Sequence, residues 1–80
     1  MTVTVLFFAS YADRLGRTSI DLVLPAGSTV EHVLTSVRLL PGASLLPPSP
    51  LVAVNRSYAP PTTLLGEGDE VALIPPVAGG

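Results

Sequence analysis

The residues best suited to chemistry stand at the end of the chain, where Pro75-Pro76-Val77-Ala78-Gly79-Gly80 closes on a carboxylate carried by a diglycine. Neither glycine has a Cβ, so the pair is the thinnest and freest peptide available and fits a tunnel that would refuse ordinary side chains. The carboxylate of Gly80 is therefore a candidate acyl group, one that a partner's active site could enclose, with Gly79 granting clearance. Pro75 and Pro76 fix φ at about −65° and cannot donate to a strand ladder, which ends the preceding strand and projects the tail from the body. Extended, residues 75–80 reach about 20 Å. A diglycine is also a common frayed end, and taken alone it carries little weight.

Elsewhere the chain offers little rival chemistry. With no cysteine there is no disulfide, thiolate metal site or cysteine nucleophile, and the single His32 cannot build a histidine cluster, so no metal site is expected. Asp69 and Glu70 are adjacent at a turn-to-strand junction and would point to opposite faces, which suits turn formation better than paired acid–base work. His32 reads as a solvated residue near a helix start, and Asn55 as a turn former. Tyr11 and Asp13 fit helix packing and capping as well as partner contact.

Composition bounds the function class. The four basic residues are all arginine (Arg14, Arg17, Arg38, Arg56) against six acids, a formal net charge of −2, which disfavours binding to nucleic-acid phosphates. Because lysine is absent, an activated Gly80 carboxyl would meet no side-chain amine on its own chain. The opening Met1-Thr2-Val3-Thr4 has no basic leader, and apolar runs such as Val5 to Ala9 fall far short of the roughly 18 residues that span a bilayer. A cytoplasmic protein without membrane contact is expected. Eighty residues make one domain, residues 1–80 with 75–80 an extended flexible tail, and leave no room for a separate catalytic domain.

The elements that must position the tail follow from periodicity. Thr2 to Ala9 is β-branched and aromatic without strict alternation, predicting a central strand buried on both faces. Ser10 to Gly16 predicts a short helix with Ser10 as a cap-like residue and Gly16 as its stop. Arg17 to Leu24 alternates as a half-exposed strand closed by Pro25-Ala26-Gly27. Ser28-Thr29-Val30-Glu31 has the form of a capping box, and Val30, Val33, Leu34, Val37 and Leu40 recur at helical spacing, so the main amphipathic helix runs to Pro41-Gly42 and lies across a sheet. Ala43 to Pro50, with three prolines, reads as a non-helical connector. Leu51–Val54 and Ser57–Tyr58 read as strands around an Asn55-Arg56 turn, Pro60 to Leu65 as an irregular turn with some 3₁₀ character, and Glu70–Ile74 as the last strand after Gly66-Glu67-Gly68-Asp69. This order describes an α+β roll.

Leu51-Val-Ala-Val-Asn-Arg-Ser-Tyr-Ala59, followed by Gly68-Asp-Glu-Val-Ala-Leu-Ile-Pro-Pro-Val-Ala-Gly-Gly80, resembles the MoaD/ThiS family of ubiquitin-like sulfur carriers, in its molybdopterin synthase small-subunit branch. The opening Val5-Leu-Phe-Phe-Ala9 is similar too, while the middle helix and proline loop match only in pattern. The resemblance implies a β-grasp fold: a mixed sheet of about five strands, one main helix, and a short helix after strand 1. It also implies that an adenylyltransferase related to ubiquitin-activating enzymes uses ATP to adenylate Gly80, and that a sulfur donor then leaves a thiocarboxylate. That sulfur would be delivered, inside the large synthase subunit, to a cyclic pyranopterin monophosphate precursor of the molybdenum cofactor. The chain would be non-catalytic alone and bind no cofactor itself, and a heterotetramer with the large subunit is implied.

The same resemblance places a partner-binding surface at Phe8, Tyr58 and Ile74, together with the tail residues Pro75, Pro76, Val77 and Ala78. Phe8 suits core and surface equally, Tyr58 beside a polar turn suits the surface, and Ile74 departs from the aromatic residue expected there. Alternation along the last strand sets Glu70, Ala72 and Ile74 against Val71 and Leu73, and Glu70 marks its side as the solvent or partner face. A sulfur carrier for another pathway (thiamine, tRNA thiolation, cysteine) and a ubiquitin-like protein modifier remain alternatives.

Overall fold

A computed structural model describes residues 1–76 of the chain. Its elements are β1 (Thr2–Phe7), α1 (Ala9–Leu15), β2 (Ser19–Val23), α2 (Val30–Val37), a 3₁₀ turn (Ala43–Leu45), β3 (Leu51–Val54), β4 (Ser57–Tyr58) and β5 (Glu70–Ile74). The strands form one mixed sheet in the order β2-β1-β5-β3-β4. β1 and β5 run parallel, and every other pair is antiparallel. This is the expected β-grasp arrangement, with β5 at the centre and β1 between β5 and β2.

One face of the sheet holds the core. Val3, Val5 and Phe7 of β1, Val52 of β3, and Val71 and Leu73 of β5 form a single buried cluster with Val30, Val33, Leu34 and Val37 of α2. The helical stripe and the strand alternation, periods of 3.6 and 2, thus meet across one layer. The expectation of a first strand buried on both faces is corrected, because burial in β1 alternates with Thr2, Thr4 and Leu6 only partly covered. The strand also ends at Phe7, since Ala9 turns to φ 46° and opens α1. Consequently Phe7 is buried while Phe8 is 47% exposed, which removes Phe8 from the core.

The caps differ from those expected. Phe8, not Ser10, occupies the N-cap of α1, and Ser10 lies within the helix. Thr29, not Ser28, caps α2, and the third helical residue, His32, takes the role expected of Glu31: the Thr29 N–H donates to His32 Nδ1 at 2.9 Å. The box is displaced by one residue because Ser28 turns inward and donates its hydroxyl to the Pro25 carbonyl at 2.8 Å. The next amides of α2 are satisfied from outside the helix, Val30 by the Thr63 carbonyl and Glu31 by the Pro61 carbonyl. The connector expected to be non-helical contains the Ala43–Leu45 turn, and Arg38 holds its far side by donating to the Pro48 carbonyl at 2.8 Å.

Two positions in the α1 region set stability. Tyr11 is buried with its hydroxyl unpartnered, and burial pushes that phenol's pKa up. Gly42 has φ 88°, and a Cβ there would collide with the Arg14 carbonyl oxygen. Tyr11→Phe should therefore stabilise the fold by about 1 kcal/mol, relieving an unmet hydrogen bond, and raise Tm by about 4–8 °C. Gly42→Ala should cost about 1–3 kcal/mol through left-handed strain alone, with the clash adding to it. Calorimetric melting of both variants checks the pair of opposite signs.

Candidate functional site: the open face of the sheet

The face opposite α2 carries no covering element among the described residues, and strand register decides what it displays. Cross-strand pairing aligns Asp21, Thr4 and Glu70 in one row. The next row runs Ser19, Leu6, Ala72, Ala53, Tyr58, and beyond it Ile74 stands opposite Leu51. The face is thus polar where β1 and β5 begin and apolar where they end. Hydrophobic side chains left bare on such a surface characteristically mark partner contacts.

Two small residues shape the apolar part. Ala53 and Ala72 are paired across β3 and β5, so no side chain rises from the middle of the face. Leu6, Phe8, Ile74 and Tyr58 stand around them, with Arg56 and Glu70 at the rim, and together they bound an open hollow of about 460 Å³. Tyr58 is 73% exposed, and Ile74 is half-buried on the open side while Val71 and Leu73 are fully enclosed. The expected assignment of Glu70, Ala72 and Ile74 to the open face therefore agrees with the structure. Phe8, Tyr58 and Ile74, far apart in sequence, are brought to one hollow. Leu6, Ala53, Arg56 and exposed Leu51 escaped sequence reasoning, although the Val-Ala-Val alternation around Ala53 held the signal.

Of the tail, Pro75 is half-buried and Pro76 exposed, directly after Ile74. Val77, Ala78, Gly79 and Gly80, which carry the acyl-group expectation, lie outside the described residues. Asp69 is structural. Asp69 accepts from the Gly66 N–H at 2.7 Å and from the Asn55 amide at 3.0 Å, while Asn55 Oδ1 accepts from the Glu70 N–H at 3.0 Å. Asn55 is thus a turn former that also clamps the β3–β4 turn to the start of β5. His32 is exposed and serves the α2 cap. A second hollow of about 350 Å³ lies between residues 24–28 and α2, but its buried hydroxyl, Ser28, is already satisfied. No helix among the described residues is long and apolar enough to cross a membrane.

With this geometry in hand, comparison with known proteins is decisive, because the ThiS family model matches residues 5–80. The chain belongs to the ThiS family. Among curated relatives, the molybdopterin synthase sulfur carrier subunit of Arabidopsis thaliana is 30% identical over 79 residues, covering 98% of this chain and 82% of the relative. The protein of the same description from Aedes aegypti is 33% identical over 87 residues, covering 98% and 88%. Among solved structures, SAMP1 from Haloferax volcanii superposes with a TM-score of 0.83 at 25% identity over the full length of both chains. The family match continues past Ile74, where the open face ends.

The hydrogen bonds from the Gly66 backbone and the Asn55 side chain hold the Asp69 carboxyl below its ordinary pKa. A folded-state pKa depressed in this way adds stability that is present above the ordinary aspartate range and is lost as pH falls through the folded value. Urea midpoints measured from neutral pH into that acid window should fall for the parent and fall less for Asp69→Asn, which starts from lower stability.

Proposed function

We propose that the chain is a sulfur carrier of molybdopterin biosynthesis. The observation that carries this reading is whole-length kinship: both relatives described above are named sulfur carrier subunits of molybdopterin synthase, and each aligns with 98% of this chain. The open face supplies the corresponding geometry, an apolar hollow at the end of the sheet from which Pro75 and Pro76 depart.

The chemistry assigned to the tail is acyl activation. A carboxylate is anionic and resonance-stabilised, and it becomes an acyl donor only once it carries a leaving group. In this proposal the Gly80 carboxylate attacks the α-phosphorus of ATP held by an adenylyltransferase, releasing pyrophosphate. A sulfur nucleophile then displaces AMP and leaves a thiocarboxylate. The large synthase subunit receives the tail, with Phe8, Tyr58, Ile74, Pro75, Pro76, Val77 and Ala78 as contacts, and sulfur passes to the cyclic pyranopterin monophosphate. Gly80 bears the reacting atom, Gly79 gives clearance, and the remaining catalytic groups belong to the partners.

A second reading, a protein modifier, draws on the likeness to SAMP1, since solved structures of that name are described as small archaeal modifier protein 1. Intact mass separates the two. With the cognate adenylyltransferase, ATP and a sulfur donor, the chain should gain about 16 Da, one oxygen exchanged for sulfur in a covalently activated carboxyl. Deleting Gly80 should abolish the gain. Conjugates to target lysines without the 16 Da species would favour the modifier, and a sulfur adduct surviving the deletion would sink the assignment to Gly80. Tyr58→Asp should melt within about 2 °C of the parent, as expected of a substitution at an exposed site, yet lose at least about thirtyfold in affinity for the large subunit.

A further inference from the structure

The β3–β4 turn has a property that docking on an apolar face does not require. Val54 pairs with Ser57, so Asn55 and Arg56 form a two-residue hairpin loop, and both have positive φ, 48° and 72°. Asparagine tolerates this conformation, but the second position of such a loop is where glycine is favoured and a Cβ is sterically penalised. An arginine is held there against that preference. Nothing in the fold compensates for it: among the described residues the one ion pair is Arg38 with Glu31, and Arg56 donates no side-chain hydrogen bond. Arg56 instead lines the hollow together with Tyr58. A strained residue with no structural partner, facing a candidate site, points to a role at that site.

The other rim charge sharpens the inference. Glu70 also borders the hollow, beside the turn where the Asn55 N–H donates to its carbonyl, and forms no ion pair with Arg56, so two opposite charges stand at one end of an apolar floor without neutralising each other. A partner seated here meets both charges at one end of the hollow and none among its other lining residues, which fixes its orientation as well as its identity. The planar guanidinium fork matches a carboxylate in two parallel hydrogen bonds, and a lysine would supply only a point charge.

We propose that Arg56 is a specificity determinant of the open face: the large synthase subunit seats one bulky apolar side chain on the Ala53–Ala72 floor and sets a carboxylate against the Arg56 guanidinium. This inference rests on the docking role given to the face above. Glu70 repels a partner acid that does not reach the Arg56 guanidinium, and the floor of two alanines leaves the space that the apolar anchor fills.

The large subunit from the same organism is titrated with each variant at low and high salt, and each variant's Tm is recorded. Arg56→Gly should melt higher than the parent, because the turn is relieved, yet bind at least about tenfold more weakly at low salt with a flatter salt dependence. Arg56→Lys should keep the salt dependence and recover part of the affinity. Ala72→Leu, which fills the hollow, should abolish binding. Parental affinity and salt response in Arg56→Gly would overturn the proposal, whatever the melting temperatures. Tyr58→Asp distinguishes the two levels of inference. If it abolishes binding while Arg56→Gly does not, the docking face stands and the role of Arg56 falls. If Tyr58→Asp binds like the parent, the docking face itself falls, and the role of Arg56 with it.

Discussion

The parallel pairing of β1 with β5 is the constraint on which the rest of the structure depends. Parallel neighbours cannot be joined by a tight turn, so the chain between them must cross the sheet, and α2 makes that crossing with its Val30, Val33, Leu34 and Val37 stripe turned inward. The register, Val5 beside Val71 and Phe7 beside Leu73, brings Phe8 and Ile74 to the same end of the sheet. At the opposite end the ladder is extended by the Thr4 N–H donating to the Asp69 carbonyl and the Gly68 N–H to the Thr2 carbonyl. The last strand therefore ends beside the apolar hollow, which sets Pro75 and Pro76 next to that hollow by topology.

Both helices pack into the one buried cluster, α2 through its stripe and α1 through Tyr11 and Leu15, so among the described residues no helix covers the other face of the sheet. The open face divides accordingly. Asp21, Thr4 and Glu70 form its polar side, with the Thr4 hydroxyl donating to Asp21 at 3.1 Å, and Leu6, Phe8, Ile74, Leu51 and Tyr58 surround the alanine floor. Burial on the helix side supplies stability, and the exposed side is the one proposed to supply recognition. Substitutions on the two faces consequently have separable effects, as long as the register holds.

Much of this was legible in the sequence wherever periodicity had one physical meaning. The stripe of α2 and the alternation of Glu70–Ile74 fixed which side chains point inward, and the Asn55-Arg56 turn followed from two short strands separated by two residues. The first strand misled because Leu6 and Phe8 are as apolar as Val5 and Phe7: hydrophobicity cannot distinguish a core residue from one held for a partner. The caps misled because Ser28, Thr29, Glu31 and His32 all offer capping atoms, and the choice among them was made by tertiary contact, the inward turn of Ser28 and the carbonyls of Pro61 and Thr63. The alanine floor was hidden because a small residue draws attention only once its cross-strand partner is known to be small too.

The claim that one sheet face docks the large subunit while the tail enters it is tested most directly by mapping backbone amide chemical shifts of the labelled chain as that subunit is added. The account predicts perturbations concentrated on Leu6, Phe8, Ala53, Tyr58, Ala72 and Ile74 and continuing through residues 77–80, with Val30–Val37 of α2 unmoved. Perturbations centred on the exposed side of α2, with the open face and tail unchanged, would contradict it.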